Sequence, residues 1–442
     1  MRNDKRFGVE RVLGMAVLAV VFGGGVASAQ TPGAVGSPGV REERPGARTA
    51  PVAAAENYDA QGVPVGSFRL FPELELNEVY NDNIYATANG TSGRTASFIQ
   101  VVKPTLDLRS DWNNHMLNLF AKGAFGFYSA NSTENYQDYG FGADGRFDIQ
   151  RDWNIYGGGS FNHRHEDRGT PNVTTALFTP TTYNQLVGNV GYYQRFNRLN
   201  VRIDGRLDNY TFFNNGLGAA QGVIQNSDRN RNEFRESARV GYEFSPGYQV
   251  WVRGSLNQRS YMTIPDSSGF NRNSSGWDMV GGVTVDLGGI TSLEAFGGYI
   301  QQNYVDPQLP QISAPMFGLT GYWNPMRELM IRPFVRRTIE DSALTTAVSY
   351  VNTAFGADVS YNVRPNITFD AHGDYAIAEY GSFPGVVQQR YEQYLTLRAG
   401  LLYRPTANFY VGPTYQYLHR SSNLPLNDYD QSIVMLRLGA RL

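Results

Sequence analysis

The sequence predicts an all-β chain, a transmembrane antiparallel β-barrel of about 18 strands (16–18) with short periplasmic turns and long extracellular loops. Three observations predict it. Apolar and polar residues alternate with the strand period of two along most of the chain. The connections between alternating segments are by turns tight and long. Aromatic residues collect near both ends of the segments.

The chain has 442 residues, a net charge of −2 and no cysteine. Near-neutral charge gives no electrostatic pull toward nucleic acid. Without cysteine there is neither a disulfide framework nor a thiolate metal site. At the start, Arg2, Lys5, Arg6 and Arg11 form a positive region, residues 12–22 a short apolar run, and Ala27-Ser28-Ala29 a small-residue cleavage site. Residues 1–29 therefore read as a cleaved signal peptide, because the run is too short for the roughly 20 residues of a spanning helix. Residues 30–66 are rich in Pro, Gly and Ala and cannot bury a core, so they read as a disordered periplasmic segment. The barrel is expected over residues 67–442.

Within it the alternation marks segments at 68–80, 95–108, 115–128, 136–149, 153–165, 182–196, 199–213, 232–244 and 248–262. It continues at 275–287, 291–304, 313–323, 328–340, 349–361, 366–380, 392–403, 408–419 and 429–442. Most exceed the ~9–11 tilted residues that cross an outer membrane. The clearest is 199–213, where Val201, Ile203 and Leu207 fall on one face and Arg202, Asp204, Arg206 and Asp208 on the other. A soluble sandwich would turn such an apolar face to a core, a barrel to lipid. Connection length decides. Tight turns at Gln150-Arg151-Asp152, Asn197-Arg198, Ser245-Pro246-Gly247, Gly288-Gly289, Asn324-Pro325-Met326, Arg364-Pro365 and Arg404-Pro405-Thr406 interleave with long polar stretches at 81–94, 166–181, 214–231, 263–274, 381–391 and 420–428. A sandwich has no reason for that asymmetry.

Tyr80, Phe127, Tyr128, Tyr210, Phe212, Phe213, Tyr304, Tyr380 and Tyr417 form the expected girdle at the loop ends. Trp112, Trp153, Phe196, Phe244, Tyr248, Trp323, Tyr361 and Phe409 form the one at the turn ends. The last segment alternates Val434, Leu436, Leu438, Ala440 and Leu442 with Arg437 and Arg441, and is placed to close against the first.

With the apolar face in lipid, the other face is hydrophilic. Its candidate lumen-lining residues are Arg202, Asp204, Arg206, Asp208, Arg235, Arg239, Arg253, Asp144, Asp370 and Arg398. The full sets of inner acids and bases nearly balance, so neither ion sign is plainly selected. Arg202, Arg206, Arg235, Arg239 and Arg253 form a cross-strand ion-pair ladder that stiffens the wall or, as the second reading, bind the carboxylates or phosphates of an acidic polymer. Tyr156, Tyr193, Trp251 and Tyr410 also fall on this face, as sugar platforms or as space fillers. The glycine runs at 157–159, 281–282 and 297–298 call for a close-lying ring or local curvature.

Catalytic chemistry is not evident. Of the five histidines, His163 and His165 share a face without a third ligand, while His115, His372 and His419 are dispersed. Asn81-Asp82-Asn83 offers calcium-friendly oxygens, although Asx-rich turns arise for backbone reasons alone. No cofactor and no metal is expected.

Glu78-Val79-Tyr80-Asn81-Asp82-Asn83-Ile84-Tyr85, Pro104-Thr105-Leu106-Asp107-Leu108-Arg109-Ser110-Asp111-Trp112, Asn135-Tyr136-Gln137-Asp138-Tyr139 and Gly142-Ala143-Asp144-Gly145-Arg146 resemble the putative beta-barrel porin 2 family. The resemblance covers residues 67–442, with its motifs in the first third. It implies a non-catalytic outer-membrane conduit of a Gram-negative bacterium, with exopolysaccharide export as the leading function. A general diffusion porin for small solutes is the alternative, and an outer-membrane enzyme or adhesin a third. Expected partners are outer-membrane lipid, the barrel assembly machinery, polysaccharide and periplasmic export components.

Overall fold

The computed structural model describes residues 58–170, 179–216, 222–288, 290–342, 347–382 and 389–442. The signal-peptide reading and most of the Pro/Gly/Ala-rich segment lie outside the described residues. Eighteen long strands form one antiparallel sheet. They are β1 (Phe68–Asn81), β2 (Ser97–Ser110), β3 (Met116–Tyr128), β4 (Tyr136–Gln150), β5 (Trp153–His165) and β6 (Thr182–Phe196). Next come β7 (Leu199–Phe212), β8 (Arg231–Ser245), β9 (Tyr248–Tyr261), β10 (Ser274–Asp286), β11 (Thr291–Tyr304) and β12 (Ile312–Met326). The last six are β13 (Leu329–Asp341), β14 (Ala347–Arg364), β15 (Ile367–Ser382), β16 (Tyr391–Tyr403), β17 (Phe409–Ser422) and β18 (Tyr429–Arg441). Each predicted segment is one strand, its ends moved by a few residues. The turn expected at Asn324-Pro325-Met326 is instead a bulged end of β12, and the chain reverses after it.

Each strand pairs with its sequence neighbours, and β18 returns to β1 from Arg441 opposite Glu73 to Ile433 opposite Asn81. The sheet is thereby closed. Asn197, in the left-handed region at φ +56°, turns the chain from β6 into β7 with Phe196 directly opposite Leu199. Asparagine tolerates that conformation better than most residues.

The two faces differ as the alternation requires. Ile203 is 51% exposed and Leu438 45%, whereas Asp208 and Arg437 are buried. The turn-end girdle stands outward, with Trp112, Phe196, Phe244, Tyr248, Trp323, Tyr361 and Phe409 exposed. At the loop end only part of the expected girdle does. Tyr80, Phe127 and Phe213 are exposed, but Tyr210, Phe212 and Tyr380 are buried inward. Tyr128 packs beneath the first loop, and Tyr304 against Leu309. Parity is the reason: Tyr210 and Phe212 share the face of Asp204 and Asp208, and Phe213 falls opposite.

Inward rings lie against glycines on the next strand. A Cβ at Gly439 would stand 2.0 Å from the Tyr410 ring, at Gly191 2.1 Å from Tyr156, at Gly282 2.4 Å from Trp251, and at Gly318 2.4 Å from Phe296. The Tyr410 hydroxyl, having crossed Gly439, sits 2.5 Å from Glu73 Oε1 and 2.8 Å from Glu75 Oε2. Gly282 thus has the ring its position called for. Gly297 has no neighbour within 4 Å, and Gly157 and Gly158 meet backbone carbonyls rather than rings.

The ordered wall begins before residue 67. Val63–Val65 pairs with Phe68, Arg69 and Leu70 through a turn at Gly66 (φ +61°). Upstream, Arg441 Nη2 donates to the Tyr58 carbonyl at 2.7 Å. Burial raises the Asp59 carboxyl above its usual range, with Arg441 and Arg404 pulling the other way.

Gly439→Ala should displace the Tyr410 ring and its carboxylate contacts, at about 1–3 kcal/mol in urea unfolding of the detergent-solubilised protein. Gly188→Ala, with nothing within 4 Å, should leave the midpoint unchanged.

Candidate channel interior

On one strand, residues two apart share a face, and the inner wall uses this to pair charges along the strand. In β7, Arg202 donates from Nε and Nη2 to Asp204 at 2.9 and 3.1 Å, and Arg206 to Asp208 at 2.6 and 2.8 Å. The same spacing pairs Arg146 with Asp148, Arg231 with Glu233 and Arg390 with Glu392. Other pairs reach across strands. Arg239 Nη2 donates to Glu294 at 3.0 Å, two strands beyond β9, and Arg253 Nη2 to Asp278 at 3.3 Å. Arg235 stands directly opposite Arg206 on one side and Asn257 on the other. Asp144 is opposite Gly158, Asp370 opposite Gly400, and Arg398 opposite His372. The structure thus places all ten predicted residues on the face opposite the exposed apolar side chains. It gathers Arg202, Arg206, Arg235, Arg239 and Arg253 on β7–β9 and leaves Asp144, Asp370 and Arg398 apart from them.

Three of the four predicted aromatics are covered, and the fourth, Tyr193, is half-buried. Tyr156 meets Gly191, accepts from Arg202 Nε at 2.9 Å and donates to Asp204. Trp251 meets Gly282, and the Arg239 guanidinium lies 4.0 Å from its centroid. Tyr410 meets Gly439 and Arg441.

The mouth at the long-loop end was not legible in the sequence. Loop 82–96 folds inward, so that Ile84 packs on the inward-facing Ile99 and Val101, with Val79, Ala124, Tyr128 and Tyr136 around them. The inner face is therefore not hydrophilic over its whole height. Residues 166–170 are tied to loop 129–135 by Arg168, whose Nε and Nη2 donate to the two Glu134 oxygens at 2.9 and 2.6 Å; both side chains are buried. Burial, then the Glu134 carboxylate, push the nearby Tyr85 phenol up. Gly169 of the same loop accepts from Tyr429 Oη of β18 at 3.4 Å, and Arg229 pairs with Glu166. A second buried knot centres on Glu392, 0% exposed, which accepts from Arg390, Arg420, Tyr394 and Tyr380. Because loops carry no period, Glu134 and Arg168 had no sequence signal beyond opposite charge.

The metal candidates turn to other work. His163 Nδ1 lies 2.7 Å from Asn184 Oδ1, while His165 sits between Asp138 and Asp167. Asn81 Oδ1 accepts from the Asn83 and Gln431 nitrogens, Asp82 pairs with Arg94, and Asn83 bonds the backbone of Thr87. These are Asx-type backbone caps. Among the described residues no cluster of three or more His, Asp or Glu side chains is placed to hold a metal.

Solved barrels of outer membranes are similar in outline. The chain is 15% identical to Pseudomonas aeruginosa OpdO, with a TM-score of 0.44 over 84% of this chain and 97% of that one. It is 11% identical to Pseudomonas aeruginosa OccK2 (OpdF), with a TM-score of 0.45 over 84% and 98%. No curated protein matches. The sequence profile described as Putative beta-barrel porin 2 matches residues 56–442, which span all the described residues, and the protein belongs to that family of outer-membrane porins.

Proposed function

We propose that this outer-membrane channel passes small hydrophilic solutes by diffusion rather than exporting exopolysaccharide. The packing of loop residues at the mouth carries the reading. Ile84, Arg168 and Gly169, all from loops, pack inside the long-loop end of the barrel and are fastened to Val101, Glu134 and Tyr429. A polymer needs clearance along its whole path, whereas a small solute needs only one route past these side chains. Sugar recognition also needs open aromatic faces. Those of Tyr156, Trp251 and Tyr410 are taken up by glycine backbone and guanidinium groups. An interior of paired charges suits hydrated solutes. Insertion by the barrel assembly machinery, after export led by residues 1–29, belongs to the same proposal.

Liposomes carrying the protein should swell in monosaccharides and not in polymer-sized dextrans; free passage of dextran would refute the small-solute reading. Glu134→Ala leaves the Arg168 charge buried without its carboxylate, a change that typically costs about 3–5 kcal/mol and should release residues 166–170. Single-channel conductance should then rise and larger sugars should enter. Unaltered conductance would mean that these loops do not narrow the path.

A further inference from the structure

Along β7, β8 and β9 the register sets Arg202 directly opposite Arg239, and Arg239 directly opposite Arg253. Like charges facing each other across strands are destabilising unless something answers them. The carboxylates answer only in part. Arg239 uses Nη2 for Glu294, and Arg253 uses Nη2 for Asp278. The Nε of both arginines is buried without an acceptor. So is Nε1 of Trp251, two residues before Arg253, on a side chain only 4% exposed and 4.0 Å beneath the Arg239 guanidinium. Orphaned Nε atoms occur elsewhere on the wall. Here two of them stand in direct register, with an orphaned indole N–H beside them.

Buried N–H donors nearly always have partners, and a buried indole most of all. Three donors lacking acceptors, in a row of three guanidinium groups, call for a ligand made of acceptors alone. We propose that Arg239, Trp251 and Arg253 form an oxyanion subsite, which takes the carboxylate or phosphate group of a permeating solute. The subsite rests on the channel reading and sharpens it: the favoured solutes are small organic acids or phosphorylated compounds. Guanidinium N–H groups make charge-assisted hydrogen bonds to both oxyanions. The pairs with Glu294 and Asp278 hold the guanidinium groups in place and, by sharing their charge, keep an anion's stay short enough for transit.

The test uses the full-length protein in planar bilayers in KCl, titrated separately with sodium acetate and inorganic phosphate. Current should depend on the added anion in a saturating way. Arg239→Gln and Trp251→Phe should each weaken the apparent affinity by about tenfold, the loss of one hydrogen bond to a charged group. Trp251→Phe keeps an aromatic ring on β9 while removing the N–H together with one ring of the indole. Arg337→Gln, on the outward face where Arg337 bonds Thr353 and Glu379, should leave the affinity as it was. A response to acetate alone identifies a carboxylate site, and to phosphate alone a phosphate site. If current changes linearly with both anions, or identically in all variants, the subsite is refuted while KCl conductance and sugar passage still uphold the channel. No current in KCl would overturn both.

Discussion

Hydrocarbon offers no partner for a peptide group, so every N–H and C=O at membrane depth must find one within the chain. The rest of this structure follows from meeting that demand with strands. An open sheet would leave two unpaired edges in lipid. The pairing of β18 with β1, nine residues on each side in unbroken register, removes both. Closure then fixes what each side chain meets: Ile203, Leu207 and Leu438 face outward, and their neighbours are turned in on one another.

Inside, the wall satisfies its own polar groups with short-range devices. Arginine and aspartate two apart pair within one strand, as Arg202–Asp204 and Arg206–Asp208 do. Tyrosines reach farther by crossing glycines, so Tyr156 joins β5 to β7 and Tyr410 joins β17 to β1. These links run around the barrel rather than across it. They stiffen the wall and leave the centre for solutes. At the long-loop end, side chains reach inward from outside the sheet, and there the contacts include an apolar cluster about Ile84 as well as the Arg168–Glu134 pair.

The strands were legible because a period of two is written in every residue, and a slip by one would reverse both faces. All eighteen segments and the inward parity of Arg202 through Arg398 followed from it. The aromatic girdle at the loop end was legible only in part, since nearness to a strand end says nothing of parity: Phe213 faces out and Phe212 in. The glycines could be flagged as needing a neighbour, but which ring lies on Gly282 or Gly439 depends on pairing between strands. Loop contacts were illegible. Glu134 and Arg168 are 34 residues apart, with no pattern to join them. The start of the wall was also set too late, because Val63–Val65 has too few residues to display alternation.

The most direct measurement of the central claim compares adjacent residues of β7 in a chain that has no cysteine of its own. Arg206 is 38% exposed on the inner face, and Leu207 is exposed on the outer one. Arg206→Cys and Leu207→Cys can each be treated, in intact outer membranes, with a small charged thiol reagent. The account predicts fast modification at position 206 and protection at 207. Equal rates, or faster reaction at 207, would mean that the greasy face does not look into lipid, and the barrel's orientation would have to be abandoned.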